Sequence, residues 1–161
     1  MINAILACDE CDGVSKDGTL PWPKNTKDLV WFKSNTSGCT IVMGSTTWKD
    51  PHMPRPLPNR TNIVVTSNPA SVPGADVYLC GDITSEIKKI AKSNPKTPLW
   101  IIGGPDIINQ TLHIIDKFYI GRIPGEYNCD TFLPMDKIAK QFTLQSSDSH
   151  PEVTFEIWER N

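Results

Sequence analysis

The chain contains no apolar run near the ~18 residues that a membrane span needs, and a membrane protein is therefore not expected. It also contains no short stretch rich in Lys or Arg, and its net charge is −2. A nucleic-acid binder usually presents a basic face, so that class is set aside. The opening Met1–Cys8 has no positive flank and is too short and too mixed for a signal peptide. Only three histidines are present (His52, His113 and His150), and they are too scattered to form a ligand pattern, so no metal is expected. There are no internal repeats and no linker, which predicts one domain over residues 1–161. The five cysteines (Cys8, Cys11, Cys39, Cys80, Cys129) include a C-x-x-C pair, Cys8 and Cys11. A zinc site would need a second such pair, and a thioredoxin-like motif would open a helix. Neither condition holds, so free thiols in a reducing cytoplasm are expected.

What is present is strands alternating with helices, punctuated by Gly and Pro. Ile2–Cys8 reads as a buried strand, followed by a long loop from Asp9 to Lys24 with no structure of its own, a length often tied to function. Asn25 is a candidate N-cap for a helix over Thr26–Asn35. Thr40–Met43 is a short strand running through Gly44 into a short helix that ends before Pro51. Pro51–Pro58 carries four prolines and is expected to be extended and rigid. Strands are expected at Asn62–Thr66, Asp76–Leu79, Leu99–Ile102 and Lys117–Ile123, with a helix over Thr84–Ala91 and another opening at Pro105. Phe142–Gln145 and Val153–Trp158 look like a closing antiparallel pair. The pattern predicts an α/β three-layer domain with a mainly parallel mixed sheet and an antiparallel C-terminal edge.

Four constellations could carry chemistry. Ile102-Gly103-Gly104 and Met43-Gly44-Ser45-Thr46-Thr47 each run from a strand through glycine into a helix, where backbone N–H groups and hydroxyls can meet phosphates. The same segments also read as a tight turn and a plain N-cap. Asp28 and Phe32 are four apart and share a helix face; Asp28 is either a first-turn acid favoured by the helix dipole or a desolvated acid in a pocket. Arg55 and Arg60 flank a stiff loop and could clamp a carboxylate or stay solvated.

In order along the chain, Gly13-Val14, Leu20-Pro21-Trp22, Asp28-Leu29-x-Trp31-Phe32-Lys33, Ile41-Val42-Met43-Gly44 with Thr47-Trp48, Arg55-Pro56-Leu57-Pro58-x-Arg60-x-Asn62, Ile102-Gly103-Gly104, Asp130-Thr131-x-Leu133-Pro134 and Phe155-Glu156-Ile157 resemble the dihydrofolate reductase family. The resemblance implies hydride transfer from NADPH, with NADH as an alternative donor, to dihydrofolate, yielding tetrahydrofolate for one-carbon metabolism. It implies that Asp28 grips the pterin edge and favours its protonation, with Trp22 holding a water nearby. Ile5, Phe32, Met53, Leu57 and Arg60 would bind substrate, Arg60 through the glutamate carboxylate. Ala7, Val14, Leu20 and Ile102 would line the nicotinamide pocket. Gly44, Ser45, Thr46, Thr47, Ser67, Gly103 and Gly104 would serve the rest of the cofactor, and the long loop would act as a lid. It implies a cytoplasmic monomer with no nucleic-acid or membrane partner.

The chain departs from the family pattern at several positions. Ser45 stands where Arg or Lys often meets the cofactor's 2′-phosphate, and Asp106 adds an acid just after the glycine pair. Pro105 removes one N–H donor, Ile108 replaces a frequent aromatic, and Ser15 replaces a glycine in the lid. Gly121 stands where a threonine commonly faces the acid. Two other readings stay open on sequence: a non-catalytic binding or structural protein of the same fold, and a pyrimidine reductase of riboflavin synthesis. The second lacks the Asp-Leu-x-Trp-Phe helix and the Arg-Pro-Leu-Pro loop.

Overall fold

Residue alternation along the central strands divides the molecule into two apolar layers. In the computed structural model, which describes residues 1–161, strand β1 (Ile2–Cys8) lies inside an eight-stranded sheet. The remaining strands of that sheet are β3 (Thr40–Gly44), β4 (Thr61–Val65), β5 (Val77–Leu79), β6 (Leu99–Ile101), β7 (Lys117–Arg122), β9 (Phe142–Ser149) and β10 (Thr154–Arg160). Their order is β5-β4-β3-β6-β1-β7-β10-β9. Pairing is parallel from β5 through β7, and β10 and β9 close the far edge antiparallel. A small second sheet pairs β2 (Gly13–Ser15) with β8 (Thr131–Phe132).

Five α-helices cover the faces: α1 (Thr26–Thr36), α2 (Ser45–Lys49), α3 (Ile83–Ser93), α4 (Pro105–Thr111) and α5 (Met135–Gln141). Ala4, Val42, Leu99 and Ile101 point to one face and bury against Ile87 of α3, Ile107 and Ile108 of α4 and Ile138 of α5. Ile5, Ile41, Met43 and Trp100 point to the other, with Trp48 of α2 and Trp31 and Phe32 of α1 packed over them. Period-2 alternation thus feeds both layers from the same strands, and the expected three-layer α/β architecture is observed.

Local signals explain the boundaries. Asn25 caps α1, its Oδ1 accepting from the Asp28 N–H at 3.0 Å. The helix runs one residue further than Asn35, because Thr36 is buried and its hydroxyl donates to the Phe32 carbonyl. Asp82 caps α3 from one residue before Ile83.

Two expectations need correction. The loop after β1 is not structureless: its Gly13–Ser15 pairs with Thr131–Phe132, a partner too short to stand out in the sequence. Pro51–Pro58 is not extended. It folds through turns with a cis Arg55–Pro56 bond. The buried Asn62 amide pulls it back, accepting from the Leu57 N–H and donating to the Leu57 carbonyl, both at 3.0 Å. Proline fixes φ but does not set the direction of the chain. Helix α5 was not anticipated; its seven residues bury only Ile138.

Candidate active site

A parallel sheet whose strand order reverses opens a crevice at the carboxyl ends of its strands. Here β1 pairs β6 on one side and β7 on the other, and the loops after β1, β3, β6 and β7 meet at that end. The two glycine motifs come together there. The Gly44 N–H donates to the Gly103 carbonyl at 2.8 Å, tying the end of β3 to the turn after β6. Gly103 has φ +108°, and the Gly103–Gly104 peptide is cis. A Cβ on either glycine would come within 4 Å of Thr47 Oγ1, and one on Gly103 would press on Leu6 at 3.2 Å. The bare turn therefore presents backbone beside a half-buried hydroxyl, which suits a phosphate-bearing ligand. Thr46 is exposed, but its methyl lies 3.7 Å from where a Cβ on Gly18 would stand, so the long loop rests on the start of α2. Ser45 is half-buried, and Ser67 is exposed beyond the end of β4.

The opposite wall is built by α1. Asp28 sits in its first turn with its side chain directed at β7. The space over Gly121 holds Asp28 Oδ1, 2.2 Å from where a Cβ would be. No protein group donates a hydrogen bond to this carboxyl, and burial pushes its pKa up from 3.8 to about 6. Asp28 thus lies in the first turn of α1, and burial is the cause that shifts its carboxyl. Trp22 is buried with Ile123, Val153 and Phe155, and Val153 also borders the space over Gly121. Trp31 stacks on Phe155 with ring centroids 4.3 Å apart.

Ile5 and Leu57 are buried, and Phe32 and Met53 pack beside them on the same layer. The Arg60 guanidinium lies 5.9 Å from the centre of the Phe32 ring. Its Nε donates to the Pro58 carbonyl and its Nη1 to Thr36 Oγ1. Those bonds hold the fork in place beside a recess of about 350 Å³ lined by Gly38, Asn59, Arg60 and Thr61. Arg55 is exposed and shares none of these contacts. Val14 and Ile102 are buried and Ala7 is half-buried, whereas Leu20 is 40% exposed on the loop.

Sequence reasoning missed how the loop is anchored. The buried Asp9 accepts from the N–H groups of Cys11 and Gly13 at 2.9 Å, from the Tyr127 N–H at 3.0 Å and from Cys129 Sγ at 3.5 Å. Burial alone would raise its pKa, but these donors outweigh it and lower it. Farther along, the Asp17 N–H donates to Asp130 and the Asp130 N–H to the Ser15 carbonyl, while the Ser15 and Thr131 hydroxyls bond to each other. The tip is held on the other side, where the Thr19 hydroxyl bonds Asp50 and His52. No local pattern in the sequence marks these long-range bonds.

Cys8 is buried, and its thiol is pushed up to about 12 by burial. Cys129 is pushed up to about 11, and Cys11 is raised chiefly by a hydrogen bond to Glu126. Thiols so far from thiolate are poor redox nucleophiles. No helix is long and apolar enough to cross a membrane.

The chain matches the family model for dihydrofolate reductase over residues 1–160. It is 36% identical over 136 residues to the dihydrofolate reductase of Bacillus subtilis, covering 83% of this chain and 76% of that protein. It is 26% identical over 184 residues to the enzyme of Sus scrofa, covering 99% and 98%. It also resembles the viral dihydrofolate reductase of Saimiriine herpesvirus 2, at 30% identity over 148 residues, covering 83% and 68%. Among solved structures, dihydrofolate reductase from Enterococcus faecalis, complexed with NADP(H) and RAB-propyl, superposes with a TM-score of 0.81 at 29% identity. That match covers 100% of this chain and 96% of the other.

Proposed function

The chain belongs to the dihydrofolate reductase family, an NADPH-dependent activity, and from that premise we propose how its own residues divide the work. Bound NADPH supplies the hydride that reduces dihydrofolate. The observation that carries the assignment is the Asp28 carboxyl, desolvated and without a protein donor, facing the crevice from the first turn of α1. It binds the amidine-like edge of the pterin, whose two N–H groups supply the charge-assisted bonds it otherwise lacks. A pKa of about 6 lets Oδ1 or Oδ2 hold or release a proton near neutral pH and so favours protonation of the pterin nitrogen beside the hydride-accepting carbon. Trp22 closes the apolar cluster next to this acid and orders a water there.

Phe32 and Leu57 hold the substrate rings between them, with Ile5 and Met53 behind. Arg60, already fixed by Thr36 and Pro58, pairs with the glutamate carboxylate. Ala7, Val14, Leu20 and Ile102 shape the nicotinamide pocket, and the loop carrying Leu20 excludes water from it. Gly44, Ser45, Thr46, Thr47, Ser67 and the Gly103–Gly104 turn hold the phosphates and ribose. Because Ser45 brings no cation, preference for the phosphorylated cofactor rests on hydroxyl donors and is weaker than a basic residue would give. The five free thiols suit a reducing cytoplasm. Beyond the buried Phe142 and the exposed Leu144, the outer strand β9 presents exposed polar side chains from Gln145 to Ser149, which suits a monomer.

The assignment is tested by following loss of reduced-cofactor absorbance with dihydrofolate for the parent and Asp28→Asn. Turnover at neutral pH falls by roughly 10²–10⁴-fold in the variant, with its fold intact. Parental turnover would remove Asp28 from the mechanism. Running NADPH beside NADH gives the ratio that Ser45 sets.

A further inference from the structure

The candidate active site lies at the carboxyl ends of the parallel strands. At the opposite end, where β1 begins and β10 finishes beside α3, a second cleft of about 580 Å³ opens. That volume falls in the ~300–1,000 Å³ range of small-molecule sites. Ile2, Ala91 and Ile114 give it apolar surface, and three cations, Lys88, Lys92 and Arg160, border it together with His113. Asp116 is the one acid on its wall, and its Oδ2 is engaged, accepting from the Ile2 N–H at 2.8 Å. Lys88 and Lys92 are exposed and four apart, so they share one face of α3. None of Lys88, Lys92, His113 or Arg160 lies in an ion pair. In a chain of net charge −2 this is a local excess of positive charge. No run in the sequence announces it, because residues 88, 92 and 160 come together only in the fold.

Arg160 is the fixed part of the cleft. Its Nε donates to the Ile115 carbonyl at 2.8 Å, its Nη1 to Gln141 Oε1 at 3.3 Å and its Nη2 to the Leu112 carbonyl. The guanidinium also lies 4.6 Å from the centre of the Phe142 ring. All of these partners are neutral, so they hold the fork in place without cancelling its charge. Three of its five N–H bonds are used, which leaves two for a ligand. Lys88 and Lys92 add point charges on flexible stems. A cleft with apolar walls and an excess of one sign of charge concentrates ions of the other. We propose that this cleft is a second binding site, separate from the crevice that serves substrate and cofactor. Its ligand is a small organic anion with two or more negative charges, phosphate or carboxylate, on an apolar body. The charges meet Arg160, Lys88 and Lys92, and the body lies on Ile2, Ala91 and Ile114. Repulsion from Asp116 is outnumbered by the three cations.

The test is an amide NMR titration of the NADPH-saturated protein at low ionic strength, with naphthyl phosphate in one arm and benzene tricarboxylate in the other. Saturable shifts should appear at Lys88, Lys92, His113 and Ile114 with at least one probe, and the arm that saturates tells phosphate from carboxylate. The Lys88→Ala/Lys92→Ala variant removes two exposed side chains and keeps the fold, and its binding should weaken by about tenfold or more. A Lys24→Ala/Lys49→Ala variant carries the same change of charge away from the cleft and should bind as the parent does. Added salt should weaken the parent's binding. No saturable shift at the cleft with either probe would overturn the proposal. So would binding that the Lys88→Ala/Lys92→Ala change leaves untouched, or that both double variants weaken equally, since each means an adventitious ion only.

Discussion

Asp9 and Asp28 bracket the same loop and are treated in opposite ways. Asp9 leaves the end of β1, is buried, and takes four donors from two loops. Asp28 lies in the first turn of α1, rests over Gly121 of β7, and takes none. Burial disfavours charge at both positions, yet Asp9 ends below its ordinary pKa and Asp28 rises to about 6. A carboxylate whose oxygens are all engaged by its own chain can tie a fold together but has nothing left for a ligand. One left without partners lowers stability and keeps its hydrogen-bonding capacity free. The loop between them is therefore anchored at its base by Asp9 and runs, through the Asn25 cap, to an acid with no donor from its own chain.

The contrast breaks most visibly at Asp9. Asp9→Ala strands three N–H donors in a closed space, and unfolding by denaturant should show a loss of about 3 kcal/mol or more. The pKa of Asp9 is depressed, so its contribution is present above the unfolded value and fades as pH falls through the folded one. A midpoint within error of the parent would mean the donors find other partners. A smaller effect is expected at Arg60, whose guanidinium is already held by Thr36 and Pro58. If the proposed glutamate contact is made, Arg60→Leu should raise the KM for dihydrofolate by roughly tenfold to 100-fold with kcat little changed, because such a contact acts on binding far from the reacting atoms. An unchanged KM would place that arginine outside the substrate site.

The different legibility of these two acids in the sequence has a physical cause. Asp28 could be picked out because helix spacing puts it on a face with Phe32 and because Asn25 announces the helix start. Spacing could not say whether it was buried. That depends on Gly121, some ninety residues away and brought beside it only by β7. Asp9 carried no signal at all, since its donors are the Cys11, Gly13 and Tyr127 backbone N–H groups and the Cys129 thiol, brought to it by loop geometry. The sheet was readable for the opposite reason. Its strands are apolar runs closed by glycine, and their alternation with helices already implies parallel crossovers. Strand β8, of two residues, and helix α5, with one buried side chain, are made by tertiary contacts that no local pattern predicts.

The most direct test of the contrast is unfolding free energy against pH for the parent and Asp28→Asn. With its pKa raised from 3.8 to about 6, Asp28 stabilises the fold relative to the unfolded chain only while protonated. That contribution is complete below 3.8 and lost as pH rises through about 6. The asparagine variant stays neutral throughout. The two proteins should therefore have similar stability in acid, and above about pH 6 the variant should become the more stable by on the order of 2 kcal/mol, though it has lost turnover. A variant equal to or less stable than the parent at neutral pH would contradict the account, because it would mean that the chain itself already compensates the Asp28 charge.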